Sequence, residues 1–312
     1  MRRLGQQPVV DFCCKRIARW ARRGCCGIVV AVLFCTPYRT LADDTALVQR
    51  GKYIFAAAGG CGCHTTKEGG LNAGGRKFSG PFGVVYGTNI TPDNETGIGT
   101  WSEQQFIDAM RYGVRPNGEK LLPVMPYPSF RLMADADLKA LWAYLRSLPA
   151  IKRPNQPRKA SMPFLNLFLA AWNKVYGGGG EPPRQAPSEG VERGKYLVRH
   201  VAHCGECHTP RGMTGALDNT RFLAGTNDGP EHAVVANITP DKETGIGTWS
   251  ESDIVDYLQT GLRPDGDNAQ GLMAEVIKGT SVGYKDLSVA DRRAIAAYLR
   301  TVPAIVNRIS SD

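Results

Sequence analysis

Cysteine is the first thing this chain runs short of. It has nine in 312 residues, and Cys13, Cys14, Cys25, Cys26 and Cys35 all fall within the first 42 positions. The other four, Cys61, Cys63, Cys204 and Cys207, form two tight clusters. None is left over to staple a fold, which excludes a disulfide scaffold. Histidine is scarcer still, at five. No G-x-G-x-x-G run follows a strand-like segment, so there is no dinucleotide cradle. No apolar run reaches the ~20 residues that a membrane-spanning helix takes. Charge of one sign is also lacking beyond residue 42. The leader holds eight of the 38 basic residues and one of the 29 acidic ones, leaving 30 and 28, a net of +2. The overall +9 belongs to the leader, and a nucleic-acid partner is excluded.

What is present begins with that leader. A basic region ends at Arg22-Arg23, an apolar stretch runs from Gly24 to Cys35, and Thr40-Leu41-Ala42 supplies small residues at its end. Residues 1–42 therefore have the layout of an export signal. An uncleaved anchor is the other reading.

The run Cys204-Gly205-Glu206-Cys207-His208 has the spacing C-x-x-C-H, which attaches a c-type haem. Residues three apart share one face of a helical turn, so two sulfurs can reach one porphyrin edge. The adjacent histidine can then ligate the iron. Upstream, Cys61-Gly62-Cys63-His64 is the same motif short of one residue. On a regular helix Cys61 and Cys63 point about 200° apart. Gly59, Gly60 and Gly62 make an irregular turn cheap, which leaves bonds from both Cys61 and Cys63 open. The expectation is a first haem held through a single thioether, most simply at Cys63. A lost site is the alternative.

The chain also repeats itself. Residues 89–103 recur at 237–251 with one change, Asn94 to Lys242. Gly51-Lys52-Tyr53 and Gly194-Lys195-Tyr196 each stand ten residues before the first cysteine of a motif. The expected organisation is a leader over 1–42, a first domain over 46–151, a linker over 152–188 and a second domain over 189–306. Each domain is expected to be helical, without strand alternation. Ser102 with Gln105, and Ser250 with Asp253, are capping-box candidates, while Asp135 and Ser288 are candidate N-caps. The linker carries one apolar stretch, Met162 to Tyr176. It is either a helix packed across the two domains or a patch for a membrane or partner.

Met125 and Met273 each lie 24 residues after the matched tryptophans, Trp101 and Trp249. Methionine is often core filler. Two in register, in segments read as loops, are candidates for the second axial iron ligand opposite His64 and His208. Asn89, Thr91, Trp101, Asn237, Thr239 and Trp249 have two readings. They hold haem propionates, or their loop only builds turns. His200, His203 and His232 have no partner in the first half and are read as packing or surface residues.

Together these residues resemble the class I c-type cytochromes. The likeness is strongest to the diheme and multi-haem cytochrome subunits that take electrons from periplasmic alcohol, aldehyde and sugar-acid dehydrogenases. The resemblance implies an all-α chain of two tandem domains with long haem-wrapping loops. It implies two haem c groups with His/Met ligation at His64/Met125 and His208/Met273, and no catalytic residues. It further implies a periplasmic dehydrogenase subunit as donor and a cytochrome or terminal oxidase as acceptor, with peripheral membrane association as an added reading. The competing expectation is a diheme redox enzyme, of peroxidase or thiosulfate-oxidising type, working at the irregular first haem.

Overall fold

The computed structural model describes residues 41–80, 82–160 and 164–309. Apart from its last two residues the leader lies outside them, as does Met162. Helices dominate. The first half opens with α1 (Leu41–Ala57) and continues through a short hairpin, β1 (Lys77–Gly80) and β2 (Gly83–Tyr86). Then come α2 (Glu103–Tyr112), the single turn α3 (Tyr127–Phe130) and α4 (Asp135–Ser147). A two-residue strand, β3 (Lys159–Ala160), pairs antiparallel with β2, with Val84 opposite Lys159. This small sheet corrects the expectation of an all-helical chain without strands. Strands of four, four and two residues are too short to display alternation in sequence.

The second half contains α6 (Gly190–Tyr196), continued by a π turn over Leu197–Val201, and α7 (Gly205–His208). It ends with α8 (Glu251–Thr260), α9 (Gly271–Lys278) and α10 (Val289–Leu299). Capping explains the boundaries. Ser102 and Ser250 both sit in capping boxes, and left-handed Gly113 and Gly261 close the same helices. Ser288 caps α10, but Asp135 is not a cap. Ala134 takes that position, and the Asp135 carboxylate accepts from Arg111 at 2.7 Å instead.

In each half the first helix crosses the last. A Cβ on Gly51 would lie 1.9 Å from the Ala140 carbonyl oxygen, and one on Gly194 1.9 Å from that of Ala294. Only glycine lets these backbones meet. The two crossings share one apolar core, in which Phe55, Leu138 and Leu145 join Leu197, Val198 and Ile295. Burying such side chains contributes about 1.5–3 kcal/mol each.

A reciprocal clasp reinforces that core. Tyr53 of the first half donates to Asp291 of the second at 2.7 Å, and Tyr196 of the second donates to Asp137 of the first at 2.7 Å. Each carboxylate is also gripped by an arginine of its own half: Arg193 on Asp291, Arg50 on Asp137. Each tyrosine oxygen in turn accepts a backbone N–H, from Ser288 and from Ala134.

Between the halves runs α5 (Leu165–Tyr176). Its Leu165 and Leu169 pack with Val85 and Leu122 of the first half. Trp172 packs with Tyr127 and with Ala216 of the second, and its indole N–H donates to Thr214 at 3.0 Å. The linker helix thus packs across both halves, while Leu167 and Val175 face outward, 72% and 70% exposed. Among the described residues no helix is long and apolar enough to cross a membrane.

Candidate haem-binding site

The two cysteine motifs are built on different backbones. In the first half α1 ends regularly, with Ala58 N–H bonded to Ile54. Gly59 and Gly60 then turn left-handed, at φ +78° and +67°, and residues 59–64 wind as a 3₁₀ helix. The second approach uses a π turn closed by Ala202 N–H to Leu197 at 2.7 Å. His203 takes the left-handed position, φ +43°, and a regular α turn carries Cys204 to His208. A non-glycine residue held there is strained, and such strain clusters at functional sites.

That α turn places Cys204 and Cys207 on one face, both half-buried. Burial pushes their thiols up to about 12 and about 11. Cys63 is exposed instead. Cys61 belongs to the 3₁₀ turn, and its side chain lies outside what is described. Cys63, Cys204 and Cys207 are all free thiols.

Despite these differences, the histidines are held alike. His64 Nδ1 lies 2.7 Å from the Thr88 carbonyl, and His208 Nδ1 lies 2.8 Å from that of Ala236. Each carbonyl directly precedes the repeated Asn-Ile-Thr-Pro-Asp loop. A carbonyl only accepts, so Nδ1 carries the proton and Nε2 is left with its lone pair. Burial lowers both imidazole pKa values, opposed in part by those carbonyl bonds. The neutral ring is the form that ligates a metal. The supporting backbone matches too. Gly74 and Gly225 donate to the carbonyls of His64 and His208, each at 2.7 Å.

For the repeated loop the observed hydrogen bonds are those of the turn-building reading. Asn89 Nδ2 donates to Thr96 and to the Ile151 carbonyl, while Oδ1 accepts from the backbone and hydroxyl of Thr91. Asn237 repeats this with Thr244, Ile305 and Thr239. All four Asn and Thr side chains are buried and engaged within the protein. Trp101 and Trp249 differ: both are half-buried against the core, and among the described residues neither indole N–H has a partner. Met125 stands in a turn just before α3 and packs near Tyr127 and Trp172. Met273 lies in the first turn of α9 rather than in a loop, half-buried against the main core.

Sequence reasoning did not find the residues that join the motifs to the opposite half. Ser129, four residues after Met125, donates to Glu206 at 2.5 Å, and its carbonyl meets His200 Nδ1 at 3.0 Å. Thr280 donates to the Gly60 carbonyl at 2.9 Å. Arg76 bridges Glu231 and Glu275. Nothing in their local sequence marks these contacts, which span up to 220 positions.

The donor set fits a covalently attached haem: free thiols beside a histidine whose Nε2 is left unprotonated and whose ring is fixed by a carbonyl. Among the described residues no group of three or more His, Cys, Asp or Glu side chains is arranged to hold a metal ion, as a zinc site would need. A helical scaffold presenting that set is of the c-type cytochrome class.

Comparison with known proteins makes the class a family. The Cytochrome c family model matches residues 48–149. The chain is 39% identical over 272 residues to a diheme cytochrome c-type protein of Cereibacter sphaeroides, covering 85% of this chain and 88% of that protein. It is 38% identical over 292 residues to the gluconate 2-dehydrogenase cytochrome c subunit of Pantoea cypripedii, covering 89% and 65%. It is 39% identical over 262 residues to the fructose dehydrogenase cytochrome subunit of Gluconobacter japonicus, covering 82% and 53%. The chain belongs to the cytochrome c family. It spans less than two thirds of the length of these two dehydrogenase subunits.

Proposed function

We propose that this protein is an exported electron carrier with two c-type haems, one in each of two tandem domains over 46–151 and 189–306. The observation that carries this reading is the matched pair of histidine bonds, His64 to Thr88 and His208 to Ala236, built on unlike backbones. Haem c, when bound, supplies reversible one-electron chemistry at iron. The chain's own residues do the rest. Cys204 and Cys207 hold the second haem through two thioethers, and Cys63 holds the first through one. The Nδ1 bonds fix each imidazole's tautomer and orientation, leaving Nε2 for the iron. Met125 and Met273 would supply each iron's second protein ligand. The free indole N–H groups of Trp101 and Trp249 serve the propionates, while the Asn and Thr side chains hold their loops rigid around the group.

The donor in this reading is a dehydrogenase subunit, as the names of the gluconate and fructose dehydrogenase relatives suggest. The acceptor is a cytochrome or terminal oxidase, and the compartment is the periplasm. The exposed face of α5 provides for peripheral contact with the membrane. Intact mass of the exported protein tests the haem count, and the expected result is apoprotein plus two haems. Carbon monoxide added to the reduced protein tests the ligation: two closed His/Met sites bind it slowly or not at all. Rapid binding at one haem overturns the carrier reading in favour of an enzyme with an open iron.

A further inference from the structure

We propose that Arg76 and Glu275 are positioning residues for the first haem, acting across the boundary between the two halves. The inference rests on the two-haem reading. Arg76 follows Gly74, whose N–H holds the His64 carbonyl, by two residues. Its guanidinium is pinned by two carboxylates of the second half. Nη1 lies 2.7 Å from Glu275 Oε2, and Nε and Nη2 each lie 3.0 Å from Glu231 Oε1. The arginine side chain is only 20% exposed.

This ion cluster covers the defective spot of the first motif. A Cβ on Gly62 would lie 3.5 Å from Arg76 Nη1 and 3.7 Å from Glu275 Oε2. Gly62 is the lone residue between the two cysteines. The second motif has no counterpart, because Gly225 is followed by Thr226 and Asn227. Glu275 also stands two residues after Met273, on the same helix. Two residues beyond that helix, Thr280 binds the Gly60 carbonyl. The segment that would offer a ligand to one haem therefore holds the attachment turn of the other directly at Gly60 and, through Glu275, the Arg76 beside it.

The electrostatic consequence has a definite sign. A cation beside a haem favours the reduced form, and a carboxylate favours the oxidised form. One arginine against two carboxylates leaves a net charge of −1, and removing the arginine or a carboxylate moves the haem in opposite directions. Partial exposure and salt screening limit each change to about two- to tenfold in the reduction equilibrium.

Potentiometric titration of the holoprotein, followed by absorbance, resolves the two one-electron steps. The first haem is assigned as the step lost when Cys61→Ser and Cys63→Ser are combined. Arg76→Gln is expected to shift that step about two- to tenfold toward the oxidised form, and Glu275→Gln by a similar factor toward the reduced form. Arg76→Lys should restore most of the wild-type value. Should Glu275→Gln fail to fold, Glu231→Gln carries the same sign. A purely structural role would loosen the site in every variant and move all of them the same way. Same-sign shifts, or no shift, with two haems present overturn this inference alone. A wild-type protein whose mass shows one haem overturns the two-haem reading, and this inference with it.

Discussion

The two cysteine motifs reach similar histidine geometry by different local structures. The second uses a regular α turn, with Cys204, Cys207 and His208 in the order that suits two thioethers. The first, one residue shorter, uses a 3₁₀ turn entered through two left-handed glycines. Its space is also tighter. A Cβ on Gly60 would lie 2.0 Å from the Val282 carbonyl oxygen, whereas His203 at the matched position accommodates a full imidazole against Phe130. The histidine is thus fixed by its downstream carbonyl, and the cysteine spacing is free to vary around it. Adding back the missing residue is the strongest way to break the contrast. An alanine inserted between Gly62 and Cys63 restores C-x-x-C-H. We expect a second thioether at the first haem, read as loss of the remaining vinyl signature in the denatured haem spectrum. An unchanged spectrum would mean that spacing is not what limits attachment there.

The tyrosine clasp supplies a second contrast, between near-equivalent bonds in unequal surroundings. Asp137, the acceptor for Tyr196, is fully buried, and so is the Ala134 N–H that donates to the same hydroxyl. Asp291 and Ser288, around Tyr53, lie nearer to water. Tyr196→Phe leaves two buried polar groups without that partner and should cost about 1–3 kcal/mol. Tyr53→Phe should cost less, since water can replace the hydroxyl. Urea unfolding of both variants measures the difference, and equal losses would show that burial does not separate the two bonds.

Much of this was readable in the sequence, and the reason is local. C-x-x-C-H, the capping boxes and the fifteen-residue repeat each encode a conformation within a few positions, so helix starts and the motif turns follow from neighbours. Gly51 and Gly194 were visible as landmarks, but not as the point where two helices touch. The clasp was harder still. Arg50, Asp137, Arg193 and Asp291 look like ordinary charges on amphipathic helices, and only the crossing makes them meet. Asn89 and Thr91 offered a choice between ligand contact and turn building, because the same donors suit both. What decided their hydrogen bonds is Ile151, about sixty residues away. The sheet escaped for the opposite reason, having too few residues to make a pattern.

The mildest effect belongs to the second half alone. His200 and His203 occupy positions where the first half has Ala57 and Gly60. Burial lowers the pKa of both. His200 faces the Ser129 carbonyl, with Arg199 and Lys195 nearby disfavouring its charge, and His203 has Glu206 partly opposing burial. In the unfolded chain each would bind a proton near pH 6.5. Below that pH the unfolded chain takes up protons that the folded state refuses, so folding stability falls as pH drops from about 7 toward 5. The loss levels off once the pH passes below the folded pKa values. His200→Gln keeps an N–H for the Ser129 carbonyl but does not titrate, so it should flatten this slope without removing it, since His203 remains. Urea unfolding of the holoprotein between pH 5 and 7 reads the slope directly, with His64 and His208 silent in their proposed role as iron ligands. An identical slope in wild type and His200→Gln would place the pH dependence outside the contact between His200 and the Met125 segment.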